Sequence, residues 1–242
     1  MLELKNISYK VKSNNEERYI LKNLNLKFDK NKIVVITGQN GSGKTTLLKL
    51  IMGIVSPTSG NILLNDKDIT NLSIFERANL GIAYSFQQPI KFKGLTVKKL
   101  MQIALGKNNA KISTICEYLS KVGLCARDYI DREIDSSLSG GELKRIEIAT
   151  TLSRNAKINI FDEPEAGIDI WSFDNLINIF QTLKQERKGI TIIVSHQEKI
   201  MQLADEIILI NSANVQKFSV KDDVLKHLKK TYCEKLVEGV YE

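Results

Sequence analysis

The run Gly38-Gln39-Asn40-Gly41-Ser42-Gly43-Lys44-Thr45-Thr46 is the part of the chain best equipped for chemistry. Its glycines let successive backbone N–H groups point into one concavity, where they can hold phosphate oxygens with a helix N-terminus behind them. Lys44 would set a positive charge on β- and γ-phosphates, and the Thr45 hydroxyl would coordinate Mg²⁺. Thr46 is placed to support an α-phosphate. The pattern G-x-x-x-x-G-K-[ST] arises in a random chain of this length with a probability of roughly 1%, so it is read as a site.

A second constellation is Ile158-Asn159-Ile160-Phe161-Asp162-Glu163. Asp162, at the end of a buried strand, can hold a magnesium shell, often through water. Glu163 beside it is placed to accept a proton from an attacking water. An apolar strand ending in Asp-Glu is equally a helix N-cap when it stands alone. Beside a phosphate cradle it supplies the other half of a nucleotide-hydrolysis site.

The third is Ser137-Leu138-Ser139-Gly140-Gly141-Glu142, a serine and two glycines opening a helix and so a second phosphate-binding N-terminus. Here the chain resembles the ATP-binding-cassette (ABC) ATPases, whose signature is Leu-Ser-Gly-Gly followed by Gln or Glu. The resemblance implies that Ser139, Gly140 and Gly141 complete the ATP site of a second subunit, with two ATP molecules sandwiched in a head-to-tail dimer. Gln87, after Ile82 to Phe86, resembles the Q-loop glutamine that touches Mg²⁺ and senses a partner. Pro164 to Asp169 resembles the D-loop, with Asp169 crossing the dimer interface, and His196 resembles the switch histidine on the γ-phosphate. The resemblance runs from Leu2 to about Phe218 and implies an ATPase using ATP and Mg²⁺.

Finer detail is similar to one branch of that family, the SufC ATPases of the SUF iron–sulfur cluster assembly system. It lies in Glu76-Arg77-Ala78, Gly81-Ile82, Ser85-Phe86-Gln87-Gln88-Pro89 with Gly94, Ser139 to Arg145, and Gly167-Ile168-Asp169. Pro164-Glu165 and a short helical insertion depart from the branch. The branch implies a SufB/SufD-type scaffold as partner, met around Gln87 and the helical region after it. The alternatives are the ATP-binding subunit of an ABC membrane transporter, whose partner is a permease, and a nucleic-acid-associated cassette. The family often stacks adenine on an aromatic residue of the first strand. That position falls near Val11 here, so base stacking is either weak or supplied by Tyr9 or Tyr19.

The elements that must position these groups follow from periodicity. Leu2 to Tyr9 and Tyr19 to Phe28 read as strands flanking a polar loop, Lys12 to Arg18, and Lys32 to Thr37 reads as a strand buried on both faces. Leu47, Leu48, Leu50, Ile51 and Ile54 recur at helical spacing, and Pro57-Thr-Ser-Gly60 is expected to end that helix. Thr96 to Ser137 is helical in pattern. Lys157 to Asp162, Ile190 to Ser195 and Glu206 to Ile210 read as strands, separated by helices from Trp171 to Arg187 and Gln197 to Ala204. Such alternation implies a parallel sheet with helices on both faces. The expected fold is α/β, that of a P-loop NTPase of the ABC ATPase type. A mostly parallel sheet core carries an N-terminal antiparallel β subdomain and a helical insertion. It is one domain over 1–242, with a helical subdomain at about 96–140 and a C-terminal helical tail at about 220–242.

Composition excludes several classes. With 242 residues and 43% of them hydrophobic, the chain can bury roughly 70% of its unfolded surface. No apolar run approaches the roughly 18 residues of a membrane span. The opening Met-Leu-Glu-Leu-Lys has no signal-peptide core, so a cytoplasmic protein is expected. Cys116, Cys125 and Cys233 lack metal or disulfide spacing, and Cys116 reads as a small core residue. The net charge of +7 comes from 35 basic and 28 acidic residues that are interspersed, with Lys226 to Lys230 the densest basic stretch, which fits a solvated surface.

Overall fold

The structure is a computed structural model that describes residues 1–13, 16–186, 189–211 and 214–219. The tail expected over about 220–242, with Lys226 to Lys230 and Cys233, lies outside the described residues. In chain order, β1 (Leu2–Ser13) and β2 (Glu16–Phe28) form a hairpin, followed by β3 (Lys32–Thr37) and α1 (Lys44–Met52). Next come β4 (Ser59–Leu64), β5 (Lys67–Asp68), α2 (Ile74–Asn79) and β6 (Ile82–Ser85). The region after β6 holds β7 (Phe92–Thr96), α3 (Val97–Ala104), α4 (Ile112–Lys121), α5 (Ala126–Tyr129) and β8 (Glu133–Ile134). Then α6 (Gly140–Ser153), β9 (Ile158–Asp162), α7 (Ile170–Glu186), β10 (Ile190–Val194), α8 (Glu198–Met201), β11 (Glu206–Asn211) and β12 (Asn214–Ser219) complete the described order.

Two sheets carry the architecture. One has the order β12-β11-β3-β10-β9-β6, parallel except for the β11–β12 pair. The other, β2-β1-β4-β5, is antiparallel. Alternation sets the layers, because successive side chains of a strand face opposite sides. Ile33 and Val35 join a core with α3, α4, α6 and α7, whereas Val34 and Ile36 join one with α1 and the antiparallel sheet. Register then places the chemistry: Val194 is level with both Ile36 and Asp162, and Ser85 with Phe161. The loops that leave β3, β6, β9 and β10 therefore emerge along one edge, the carboxyl edge where open parallel sheets bind ligands.

Three expectations need correction. The segment Lys12 to Arg18 is mostly strand, with Val11 opposite Arg18 and Lys12 opposite Glu17. A two-stranded ladder exposed on both sides satisfies its backbone without apolar alternation, so periodicity misses it. Helix α1 stops at Met52, ahead of Pro57, because Gly53 adopts φ 80 and its N–H closes back on the Leu50 and Lys49 carbonyls. The stretch from Thr96 to Ser137 is not helical throughout, since β8 pairs antiparallel with β7 at its end. Cys116 is half-buried and packs against the core, as expected.

Arg77 explains how the cradle's helix is anchored. Its guanidinium is buried and donates to the carbonyls of Leu50 at 2.6 Å, Ile51 at 2.8 Å, Thr70 at 2.7 Å and Leu72 at 3.1 Å. It thus caps the C-terminal end of α1, where positive charge is favoured. The capping box of Ser73 and Glu76 sets the helix that carries it. Replacing Arg77 with Met should cost about 3 kcal/mol, because the volume survives while buried carbonyls lose their donor. Urea unfolding checks this, and a midpoint within error of the parent would refute it.

Candidate nucleotide site

The loop between β3 and α1 is shaped by what glycine alone permits. At Gly38, φ is 143 and a Cβ would lie 2.0 Å from the Ile210 carbonyl oxygen, so no side chain fits. Gly43, at φ 100, is the N-cap of α1 and offers no side-chain acceptor, which leaves the first-turn amides aimed at the loop's hollow. Lys44 folds back over the loop, its Nζ donating to the Gly38 carbonyl at 2.7 Å and the Gln39 carbonyl at 2.9 Å. Burial pulls its pKa down, while the nearby charges of Glu163 and Asp162 oppose that. Ser42 is buried behind the loop, and Asn40 and Gly41 form its exposed rim.

Across the strand edge, Asp162 is held from two sides. Thr45 Oγ1 donates to its Oδ1 at 3.2 Å and Tyr84 Oη to its Oδ2 at 2.9 Å. Burial pushes its carboxyl pKa up, and the two hydroxyls counter it. Glu163 sits at φ 45, a left-handed conformation uncommon for glutamate, pinned by its N–H to the Val194 carbonyl at 3.0 Å. This turns its carboxylate toward the loop after β6, where Gln87 Nε2 donates to Oε2 at 2.7 Å. His196 follows β10 and is exposed at its edge. Partial desolvation and then the charge of Lys44 pull its pKa down, against Glu163.

Beside these groups lies a cavity of about 390 Å³ lined by Ile20, Asn40, Gly41, Gly43, Lys44, Thr45, Thr46, Gln87 and Glu163. The side chain that the N-terminal hairpin lends to it is Ile20. Tyr19, one candidate base platform, instead lies under Lys10 and Lys22, and Tyr9 packs against the core. Sequence reasoning missed both Ile20 and Tyr84. Tyr84 carries no motif, and only the register of β6 beside β9 brings it to Asp162.

Ser139, Gly140, Gly141 and Asp169 are brought together elsewhere. Among the described residues, none of them lines that cavity. Ser139 caps α6, accepting from the Glu142 N–H at 3.2 Å while Glu142 accepts from the Ser139 N–H at 2.7 Å. A Cβ on Gly141 would come within 2.9 Å of the Gly167 carbonyl oxygen, so the loop after β9 packs directly on this helix. Asp169 is exposed and caps α7 through Ser172, whose N–H and hydroxyl donate to it at 2.9 and 2.8 Å. Ser139 and Gly140 are likewise exposed, an open helix N-terminus facing outward.

A phosphate cradle on a parallel sheet edge, flanked by a strand-end acid and a second, outward helix N-terminus, defines a P-loop nucleotide-binding cassette. Residues 21–166 match the family described as ABC transporter, and the chain belongs to that family. It is 38% identical over 231 residues to an uncharacterized ABC transporter ATP-binding protein of Methanocaldococcus jannaschii, covering 92% of this chain and 91% of the relative. It is 31% identical to the energy-coupling factor transporter ATP-binding protein EcfA2 of Caldanaerobacter subterraneus, covering 85% of this chain and 74% of that one. A dimeric ATP-binding cassette solved in a post-hydrolysis state with ADP and Pi superposes with a TM-score of 0.81 at 25% identity, covering 91% of this chain and 99% of that one. The chain is an ATP-binding ABC ATPase with the α/β cassette fold, mostly parallel with an antiparallel β subdomain. The relatives' names are transporter names and lend the SufC resemblance no support.

Proposed function

We propose that this chain is the ATP-hydrolysing subunit of a membrane transporter and that it works as a head-to-tail pair around two ATP molecules. The observation that carries the reading is the separation of Ser139, Gly140 and Gly141 from the cavity of their own chain. An exposed N-terminus of a 14-residue helix with two glycines suits a phosphate supplied by another copy. In this reading Lys44 and the loop amides bind the β- and γ-phosphates. Thr45, Asp162 and Gln87 offer oxygen donors at the edge of the same cavity, a hard-ligand set suited to Mg²⁺. Bound there with the phosphates, the ion would neutralise their negative charge. Glu163 takes the proton of the attacking water, and His196 donates an N–H toward the γ-phosphate. Asp169, exposed at the start of α7, would contact the partner copy.

The permease reading draws on the relatives' transporter names and on a mostly apolar cavity of about 250 Å³ beside the loop after β6. Ile74, Phe86, Ile90, Phe92 and Leu100 line it, and Phe75 next to it is 73% exposed. An apolar segment of a permease's cytoplasmic loop fits there, within reach of Gln87. No helix among the described residues is long and apolar enough to cross a membrane, so the span falls to the partner. A soluble SufB/SufD-type scaffold is the second reading, favoured by the SufC-like segments Glu76-Arg77-Ala78, Ser85 to Pro89 and Ser139 to Arg145.

Two measurements test the proposal. Specific ATPase activity of the isolated chain should rise with protein concentration, because each active site needs a second copy. Activity independent of concentration in a protein that stays monomeric with MgATP would defeat the shared site. Capture from solubilised membranes should bring down a polytopic protein; recovery of a soluble scaffold instead decides for the second reading.

A further inference from the structure

Lys144 is among the largest fully buried side chains, although it lies on a helix dense in charged residues. It sits on α6 five residues after Ser139, roughly 7 Å along the axis. Its Nζ donates to the Phe86 carbonyl and lies 3.4 Å from the carbonyl oxygens of Gln87 and of Asp162. One turn on, Glu147 accepts the Phe86 N–H at 2.6 Å and lies 3.6 Å from Lys144 Nζ. One buried pair thus grips both polar groups of Phe86, the carbonyl of Gln87 and the end of the strand that carries Asp162. Burial drives the Lys144 ammonium pKa down and the Glu147 carboxyl pKa up, and each charge offsets the other's cost. An apolar pair of similar volume would serve stability as well or better. The geometry the pair enforces is therefore the informative feature.

We infer that Lys144 and Glu147 are positioning residues that lock the Gln87 loop to the helix presenting Ser139, Gly140 and Gly141, so that the ATP site of one copy and the surface it offers to the other move together. The inference deepens the proposed function and rests on it. Gln87 reaches Glu163 at one end of this connection, and the signature residues stand at the other. If Gln87 withdraws with its backbone, Lys144 loses two of its three carbonyl acceptors inside the protein, which the buried ammonium resists. Gln87 and α6 must then shift as one body, and such coupling is reciprocal: closure of the helix on a second nucleotide favours Gln87 in place.

The test uses the full-length chain and steady-state ATPase assays. Lys144→Met should lower kcat about 30-fold with KM for ATP within twofold, since the phosphate loop is untouched and a shift near 1 Å in reacting geometry costs up to about 100-fold. Glu147→Gln keeps an acceptor for the Phe86 N–H but loses the charge, so its kcat should fall about fivefold. The decisive readout is a double-mutant cycle with Gln87→Ala. In that background Lys144→Met should change kcat less than threefold, because its effect runs through Gln87. Full additivity, an unchanged kcat, or a parallel loss of ATP affinity and thermal stability would overturn the inference. If Lys144→Met does not fold, Glu147→Gln in the same cycle decides by the same criteria. A parent chain with no concentration-dependent hydrolysis would instead sink the proposed function, a separate outcome.

Discussion

Replacing Glu163 with Gln should reduce ATP turnover about 1,000-fold while leaving ATP affinity within twofold, and should accumulate a stable ATP-bound pair. A positioned general base contributes on the order of 100- to 10,000-fold, and an amide of the same shape cannot take the proton. Shape should survive. The φ of 45 at this residue is held by the backbone bond to Val194, and the amide oxygen of glutamine can still accept from Gln87 Nε2. Binding groups on the loop after β3 are untouched, so ATP still draws two copies together but is not consumed. Phosphate release measures the first effect, and light scattering with MgATP the second. Turnover within tenfold of the parent would remove Glu163 from its role.

The second large effect is at Lys44, where truncation to Ala should weaken ATP binding about 100-fold by calorimetry. An ammonium on phosphate is a charge-assisted contact of about 2 to 3 kcal/mol, which corresponds to that factor. Lys44 also ties the loop together through the Gly38 and Gln39 carbonyls, so its removal loosens the cradle as well as stripping its charge. Both losses fall on ground-state binding, and the defect should appear in affinity before it appears in turnover. Unchanged affinity would contradict the assignment of the cavity at Gly43 to Thr46.

Both candidate residues stand out in the chain because each belongs to a contiguous motif. Sequence periodicity likewise placed β3, β9 and β10, since strands buried on both faces read as near-continuous apolar runs. The polar hairpin end near Lys12 lacked such a signal. Helix α1 gave an early stop at Gly53 where Pro57 was the louder mark. Nothing local in the chain marks Arg77 or Lys144 for burial, and the structure buries both. A charge goes inside only where enough acceptors meet it, and these include distant backbone carbonyls, Leu50 and Ile51 for Arg77 and Phe86 and Gln87 for Lys144.

Sequence by itself determined the phosphate loop, the acid pair at Asp162 and Glu163, the Ser139 to Gly141 helix start and the alternating strand–helix order, all of them local patterns. Tertiary structure alone decided that Tyr84 meets Asp162, that Ile20 walls the cavity, and that Lys144 and Glu147 seize the Gln87 loop. It also decided that the helix starts at Lys44 and Gly140 do not share one cavity within a chain. The reason is physical: a motif encodes what a backbone segment does with its own N–H groups, whereas pairings such as Tyr84 with Asp162 and Lys144 with Phe86 depend on strand register and helix packing between residues more than fifty positions apart.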